Sequence, residues 1–209
     1  MAKNTIRSRS YDGAALIAVA ALGFACAGSG TARPAPVALQ DASGFTITES
    51  VRASGSARAS FDSAVRALEQ KQYDNGIAQL VEVTEAAPDA TSAHIDLAIA
   101  YRETNDLAKA EASLKKALAL NPRHPVALNE LGIVYRKTGR FAEARKSYEQ
   151  VLALYPGFHF ARRNLAILCD VYLGDAGCAL EQYELYLQAV PGDQQAAMWV
   201  ADLRARAGK

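Results

Sequence analysis

Neither sign of charge predominates in this chain, in which Lys and Arg number 23 and Asp and Glu 22, a net charge of +1 over 209 residues. Such a balance provides no general attraction to nucleic acid or to an anionic membrane. Glycine and proline, at 14 and 7 residues, are too sparse for a collagenous or low-complexity chain. The apolar run Ala14 to Ala25 has twelve residues, about 18 Å of helix, short of the roughly 20 residues that span a membrane. Motifs that carry chemistry are missing as well. His94, His124 and His159 are scattered without a second metal ligand at helical spacing, and no cysteine pair has metal-site spacing. There is no Gly-x-Gly-x-x-Gly, no Walker-type loop and no Gly-x-Ser-x-Gly elbow. The expectation is a chain that is not an enzyme, takes no cofactor or metal, and has no small-molecule substrate. What is abundant is Ala, Leu, Glu, Arg and Gln over residues 57–209, with few β-branched runs, a composition that favours helix throughout that region.

The N-terminus has a different character. Lys3, Arg7 and Arg9 precede the twelve-residue apolar run, the layout of a secretory signal. Two cleavage readings follow. Ala25-Cys26-Ala27 fits the small-x-small rule of ordinary signal peptidase, whereas Ala25-Cys26 also resembles the end of a bacterial lipobox, which departs from the pattern in having Gly23 where a Leu is expected. In the second reading Cys26 carries the lipid, and by resemblance to bacterial lipoproteins Ala27 behind it implies the outer membrane, facing the periplasm; in the first the protein is soluble and periplasmic. Loss of residues 1–26 leaves 20 basic against 21 acidic groups, so the exported form is nearly neutral. Residues 27–56 read as a flexible tether, rich in Ser, Thr, Ala and Pro between Gly28 and Pro36, with a short extended, β-prone piece at Gly44–Thr48.

A repeat organises the remainder. Pro88, Pro122, Pro156 and Pro191 stand 34, 34 and 35 residues apart, each closing a helical block. The blocks are 57–90, 91–124, 125–158 and 159–192, followed by a helix over 193–207. In the third block Leu128, Leu131, Gly132, Tyr135, Ala144, Tyr148 and Pro156 mark the pattern, and a shift of 34 gives Leu97, Ala98, Tyr101, Ala110, Leu114, Ala117 and Pro122 in the second. The fourth block matches at Leu165, Ala166, Ala179, Tyr183 and Pro191 if one extra residue is placed in its inter-helix turn. The first is degenerate, with Ala64, Leu80 and Pro88 matching and Gly76 in the usual Ala position. In the final helix, Asp193 is a candidate N-cap, with Ala197, Trp199 or Val200, and Leu203 forming an apolar stripe that covers the last repeat.

On these residues the chain resembles the tetratricopeptide repeat (TPR) family over 57–191. The resemblance implies an all-α, right-handed α-solenoid of four helix-turn-helix repeats with a capping helix, serving protein–protein interaction. By the same resemblance, a concave surface is lined by Ile95, Ile99 and Arg102 in the second repeat, Asn129, Ile133, Arg136 and Lys137 in the third, and Phe160, Arg163, Asn164 and Ile167 in the fourth. An apolar line flanked by polar groups suits an extended or helical peptide; the alternative is that the isoleucines belong to the core and the charges form a solvated face. The set that clamps the acidic tails of heat-shock chaperones is not matched, since Phe61 or Ile95 stands at a clamp Lys and Glu130 at a clamp Asn. Cys169 and Cys178 fall on the two helices of the fourth repeat, either bonded or with Cys169 a small buried hydrophobe. The chain also looks like a group of exported proteobacterial TPR proteins, which implies an envelope scaffold for a protein or peptide partner, with a pilotin-like lipoprotein or an accessory subunit of an envelope enzyme as alternatives.

Overall fold

A computed structural model describes residues 37–40, 44–47 and 54–207. The signal-like segment 1–26, its Cys26 and most of the tether lie outside the described residues. Two compact units meet within one helix, at residues 127 and 128. In the first, strands β1 (Val37–Gln40) and β2 (Gly44–Ile47) pair antiparallel, Val37 opposite Ile47 and Leu39 opposite Phe45. The sequence marked β2 as extended but left β1 in the tether, because Val37–Gln40 is too short and lacks the polar alternation that marks a strand.

Nine α-helices follow among the described residues: α1 (Gly55–Glu69), α2 (Tyr73–Ala86), α3 (Thr91–Glu103), α4 (Leu107–Leu120), α5 (Pro125–Lys137), α6 (Phe141–Leu154), α7 (His159–Ile167), α8 (Ala176–Ala189) and α9 (Gln194–Ala207). The first begins two residues before the expected start of the repeat region because Ser54 caps it, its hydroxyl accepting from the Ala57 amide at 3.1 Å. In the first unit, Phe61, Ala64, Val65 and Leu68 of α1 pack with Leu80 and Val83 of α2 and with Ala93, Leu97 and Ala100 of α3. Each large apolar side chain so buried contributes about 1.5–3 kcal/mol.

Within a repeat the two helices are joined by one turn. Its left-handed residue is Lys71, Asn105, Gly139 and Gly174 in successive repeats, and the next residue, Gln72, Asp106, Arg140 or Asp175, starts the second helix. In three repeats that residue's amide closes onto a carbonyl five positions back, Gln72 to Ala67, Asp106 to Tyr101 and Arg140 to Tyr135, each at 2.8 Å. In the fourth, Asp175 reaches six back, to Cys169, again at 2.8 Å. The extra residue therefore does not lengthen the turn, as the sequence suggested. It is taken up just before it, where α7 passes into a π-helical segment, Leu168–Leu173. The turn's hydrogen bonds and left-handed residue fix its length, so the wider winding of the preceding helix absorbs the insertion.

Small residues let the paired helices approach. A Cβ on Gly132 of α5 would lie 2.4 Å from Cε1 of Tyr148 on α6, and one on Gly76 of α2 would lie 2.5 Å from Cδ2 of Leu68 on α1. Gly76 thus stands where Ala is usual because Leu68 occupies the space of a methyl group. The histidines serve the helix starts. His124 precedes α5, is buried, and its Nδ1 accepts from the Ala127 amide at 3.3 Å; burial pushes its pKa down to about 4. His94 bonds the Pro88 carbonyl through Nε2 at 3.0 Å. At the other end of the chain Asp193 caps α9, accepting from Ala196 at 3.0 Å. Ala196, Val200 and Leu203 form the buried stripe of α9, and Ala197 is exposed, a correction to the expected stripe by one residue, since 196, 200 and 203 keep the tighter i, i+4, i+7 spacing.

Two predictions arise. Gly132→Leu drives a side chain into the Tyr148 ring and is expected to remove cooperative helical melting, whereas Tyr148→Leu in the same chain partly restores it; circular dichroism melts check both. His124 is neutral when folded and titrates near its ordinary value of 6.5 when unfolded. Its stabilising contribution is therefore complete above pH 6.5, falls as pH drops through the interval to about 4, and is then lost, on the order of 3 kcal/mol in all. Urea unfolding between pH 7 and pH 4 checks this, and His124→Asn, a capping residue that does not titrate, flattens that part of the profile.

Candidate interaction surface

The residues expected to line a binding surface divide between the two units. In the first, Ile95, Ile99 and Arg102 of α3 are 0, 3 and 3 % exposed. They are covered positions, and the Arg102 guanidinium pairs with Glu103 at 2.7 Å. In the second, Asn129 and Ile133 of α5 are buried too, while Arg136 is half-buried and Lys137 exposed at the C-terminal end of that helix. Phe160, Arg163, Asn164 and Ile167 on α7 are all half-buried. Asn164 Nδ2 donates to Asn129 Oδ1 at 2.9 Å, so these two amides hold α5 and α7 in register.

Arg163 is held internally. It lies 3.8 Å from Asp193 Oδ2 and stacks on Trp199, whose ring packs 5.4 Å from Tyr183. Tyr186 Oη donates to the same Asp193 oxygen at 2.8 Å. Burial, and then that bond to an anion, push the Tyr186 hydroxyl up to about 12. Burial works the other way on Asp193, but the Ala196 amide, Tyr186 and Arg163 together hold its carboxyl below the usual range. Trp199 is thus packed in a clasp joining α7, α8 and α9.

The accessible features of the second unit lie around the π-helical segment. Val171, Tyr172 and Leu173 are 66, 42 and 39 % exposed, an apolar ledge of three consecutive residues. Tyr172 is braced rather than loose. Its ring lies 5.1 Å from Phe141 and 5.5 Å from the Arg136 guanidinium, whose Nη1 reaches the Tyr172 hydroxyl at 3.5 Å. The ledge is stapled at its base, where Cys169 of the π segment is disulfide-bonded to Cys178 of α8, with Cα atoms 5.9 Å apart. Asp175 sits between them in sequence and caps α8 through the Cys178 amide. Cys169, Asp175 and Cys178 bring ligand-type atoms within 4.8 Å of one another, but with the two sulfurs bonded the cluster is a staple. Sequence reasoning missed Tyr172 and Leu173; the available signal was the spacing of 35 instead of 34 between Pro156 and Pro191.

Taken together, paired antiparallel helices in a 34-residue period, with polar and apolar side chains displayed on the first helix of each pair, define a helical-repeat protein of the interaction class. Tetratricopeptide repeat models match residues 61–125, 95–157 and 129–169, more than half of the chain, and the protein belongs to that family. Its fold is all-α, of the TPR solenoid class. It matches no curated protein. Among solved structures it is similar to PilF of Pseudomonas aeruginosa, at 22 % identity and a TM-score of 0.67 over 72 % of this chain and 68 % of that one. MamA of Desulfovibrio magneticus RS-1 is 19 % identical, with a TM-score of 0.65 over 74 % and 87 %. The first TPR domain of Spaghetti (RPAP3), bound to the HSP90 peptide SRMEEVD, is 26 % identical, with a TM-score of 0.54 over 56 % and 93 %.

Closing a short loop, the disulfide stabilises by about 2–3 kcal/mol. Cys178→Ser is expected to lower the urea unfolding free energy by that amount with helix content unchanged.

Proposed function

We propose that this protein is a non-catalytic interaction module of the bacterial cell envelope that takes a peptide segment of an envelope protein on the inner face of its first helices. The observation that carries this reading is the accessible surface of the second unit, where Arg136 and Lys137 of α5 stand with Phe160 and Ile167 of α7 and the ledge Val171–Leu173. Apolar side chains supply area there and the two cations set polarity, which favours a peptide with apolar anchors and acidic groups. An acidic peptide, SRMEEVD, is bound by the Spaghetti domain. Glu130, buried on α5, and the apolar Phe61 and Ile95 distinguish the present chain from a clamp for chaperone tails. Export, with a lipid on Cys26 as the preferred form and a soluble periplasmic protein as the other, rests on the basic and apolar segments of residues 1–26. A pilotin-like role in secretin or type IV pilus assembly is the second reading, favoured by the combination of that N-terminus with a small TPR domain.

The test uses short peptides selected from a display library on the immobilised full chain. Arg136→Glu with Lys137→Glu is expected to weaken their retention about tenfold or more while the thermal melt stays within a few degrees. Unchanged retention removes the peptide reading for this surface. Intact mass of the protein from a bacterial host, compared with Cys26→Ser, decides the anchor: a lipid-sized increment absent from the variant is the expected result.

A further inference from the structure

Two features of the first unit complete one another. The first is α3, in which every residue from Thr91 to Ala100 is buried, nearly three full turns. A helix so covered has a neighbour on all sides, unlike α1, where Asp62, Arg66 and Glu69 are exposed. The cluster shared with α1 and α2 accounts for the side bearing Ala93, Leu97 and Ala100. The small residue Ala98, about 140° round from Ala93 at 100° per residue, marks the side where α4 packs as antiparallel partner. Ser92, Asp96 and Ile99 lie roughly 240–300° round from Ala93, the inner face, and are 2, 0 and 3 % exposed. With Asp96 fully buried and Ser92 and Ile99 nearly so, this face of α3 is covered.

The second feature is the β-ribbon. In its sequence the apolar Val37, Leu39, Phe45 and Ile47 alternate with Ala38, Gln40, Gly44 and Thr46, and the register pairs Val37 with Ile47 and Leu39 with Phe45. An isolated two-stranded ribbon is at best marginal in water, and one with apolar residues at alternate positions of both strands needs a surface to pack on. Six residues separate Ile47 from Ser54, the cap of α1, and the seven Cα–Cα steps reach about 24 Å. Neighbouring helix axes lie about 8–10 Å apart, so the ribbon can extend past α1 to α3.

We propose that the ribbon of β1 and β2 packs on the Ser92, Asp96 and Ile99 side of α3, an intramolecular occupant of the inner surface. The regulatory consequence rests on the peptide reading given above: a partner extending along this face must displace the ribbon, and its apparent affinity falls by the fraction of chains in which the ribbon is released.

The experiment uses the full chain carrying Cys26→Ser and Ser92→Cys, with the native disulfide intact, and follows the rate at which the new thiol is modified by a maleimide. Slow modification is expected, rising about tenfold or more when Phe45→Asp and Ile47→Asp are added, with an unchanged melt of the helices. A rate that the ribbon substitutions leave unchanged overturns the proposal. Photocrosslinking from Ile99→benzoylphenylalanine identifies the occupant, with isotopically labelled and unlabelled chains mixed. A link within one chain to residues 37–47 supports the proposal; a link between chains, or within the chain to another segment, overturns it. If the photocrosslinking variant does not fold, the thiol measurement decides alone. Peptide retention with an unresponsive thiol leaves the peptide reading standing without the ribbon, and a responsive thiol without peptide retention leaves the ribbon without the peptide reading.

Discussion

The close approach of two antiparallel helices at a small residue is the constraint on which the rest of this structure depends. Gly132 faces the Tyr148 ring and Gly76 the Leu68 side chain, each leaving no room for a methyl group. Ala110, Ala144, Ala166 and Ala179, all buried, occupy equivalent small positions. Because interiors are packed as densely as molecular crystals, such contacts tolerate little change in volume. They fix the helix pair as a unit, and the 34-residue period follows from two helices of about 14 residues and two short connections.

The inter-helix turn is the second rigid element. Its left-handed residue need not be glycine: Lys71 and Asn105 adopt that conformation as Gly139 and Gly174 do. What is maintained is a left-handed residue followed by an amide that bonds back to the preceding helix. When the fourth repeat acquires a residue, the turn keeps its form and the helix before it widens. The insertion thereby produces the molecule's distinctive surface. Val171, Tyr172 and Leu173 are displayed together, Tyr172 is braced by Arg136 and Phe141, and the disulfide holds the base. An additional residue that would slip a helical register is converted into a fixed ledge, and the cross-link supplies stability where the regular helical ladder is interrupted.

Charges illustrate how a surface position becomes a structural one. Arg163 occupies a place on α7 that the repeat pattern assigns to ligand contact, yet Asp193, itself bonded by Tyr186, and Trp199 engage it in joining α7 to α8 and α9. On α9 a clasp of charge and aromatic contacts adds to the packing of Ala196, Val200 and Leu203. Arg136 stacks on Tyr172 and Lys137 is exposed at the end of α5, so both stay on the accessible surface that Arg163 has left.

The amino-acid sequence by itself determined the all-α class, the repeat period and the small-residue positions, because each is local: Pro88, Pro122, Pro156 and Pro191 punctuate the helices, and Ala98 and Gly132 recur at a spacing set by helix geometry. It also contained the length anomaly of the fourth repeat. Only the tertiary structure decided where the extra residue goes, since turn and helix differ in the hydrogen bonds each can give up, and that choice depends on Cys169 accepting from Asp175 across the helix end. Ile95, Ile99 and Arg102 were legible as inner-face residues, with burial of the isoleucines open as an alternative and that of Arg102 not foreseen. Periodicity gives the direction in which a side chain leaves its helix, whereas burial depends on which distant segment comes to lie in that direction.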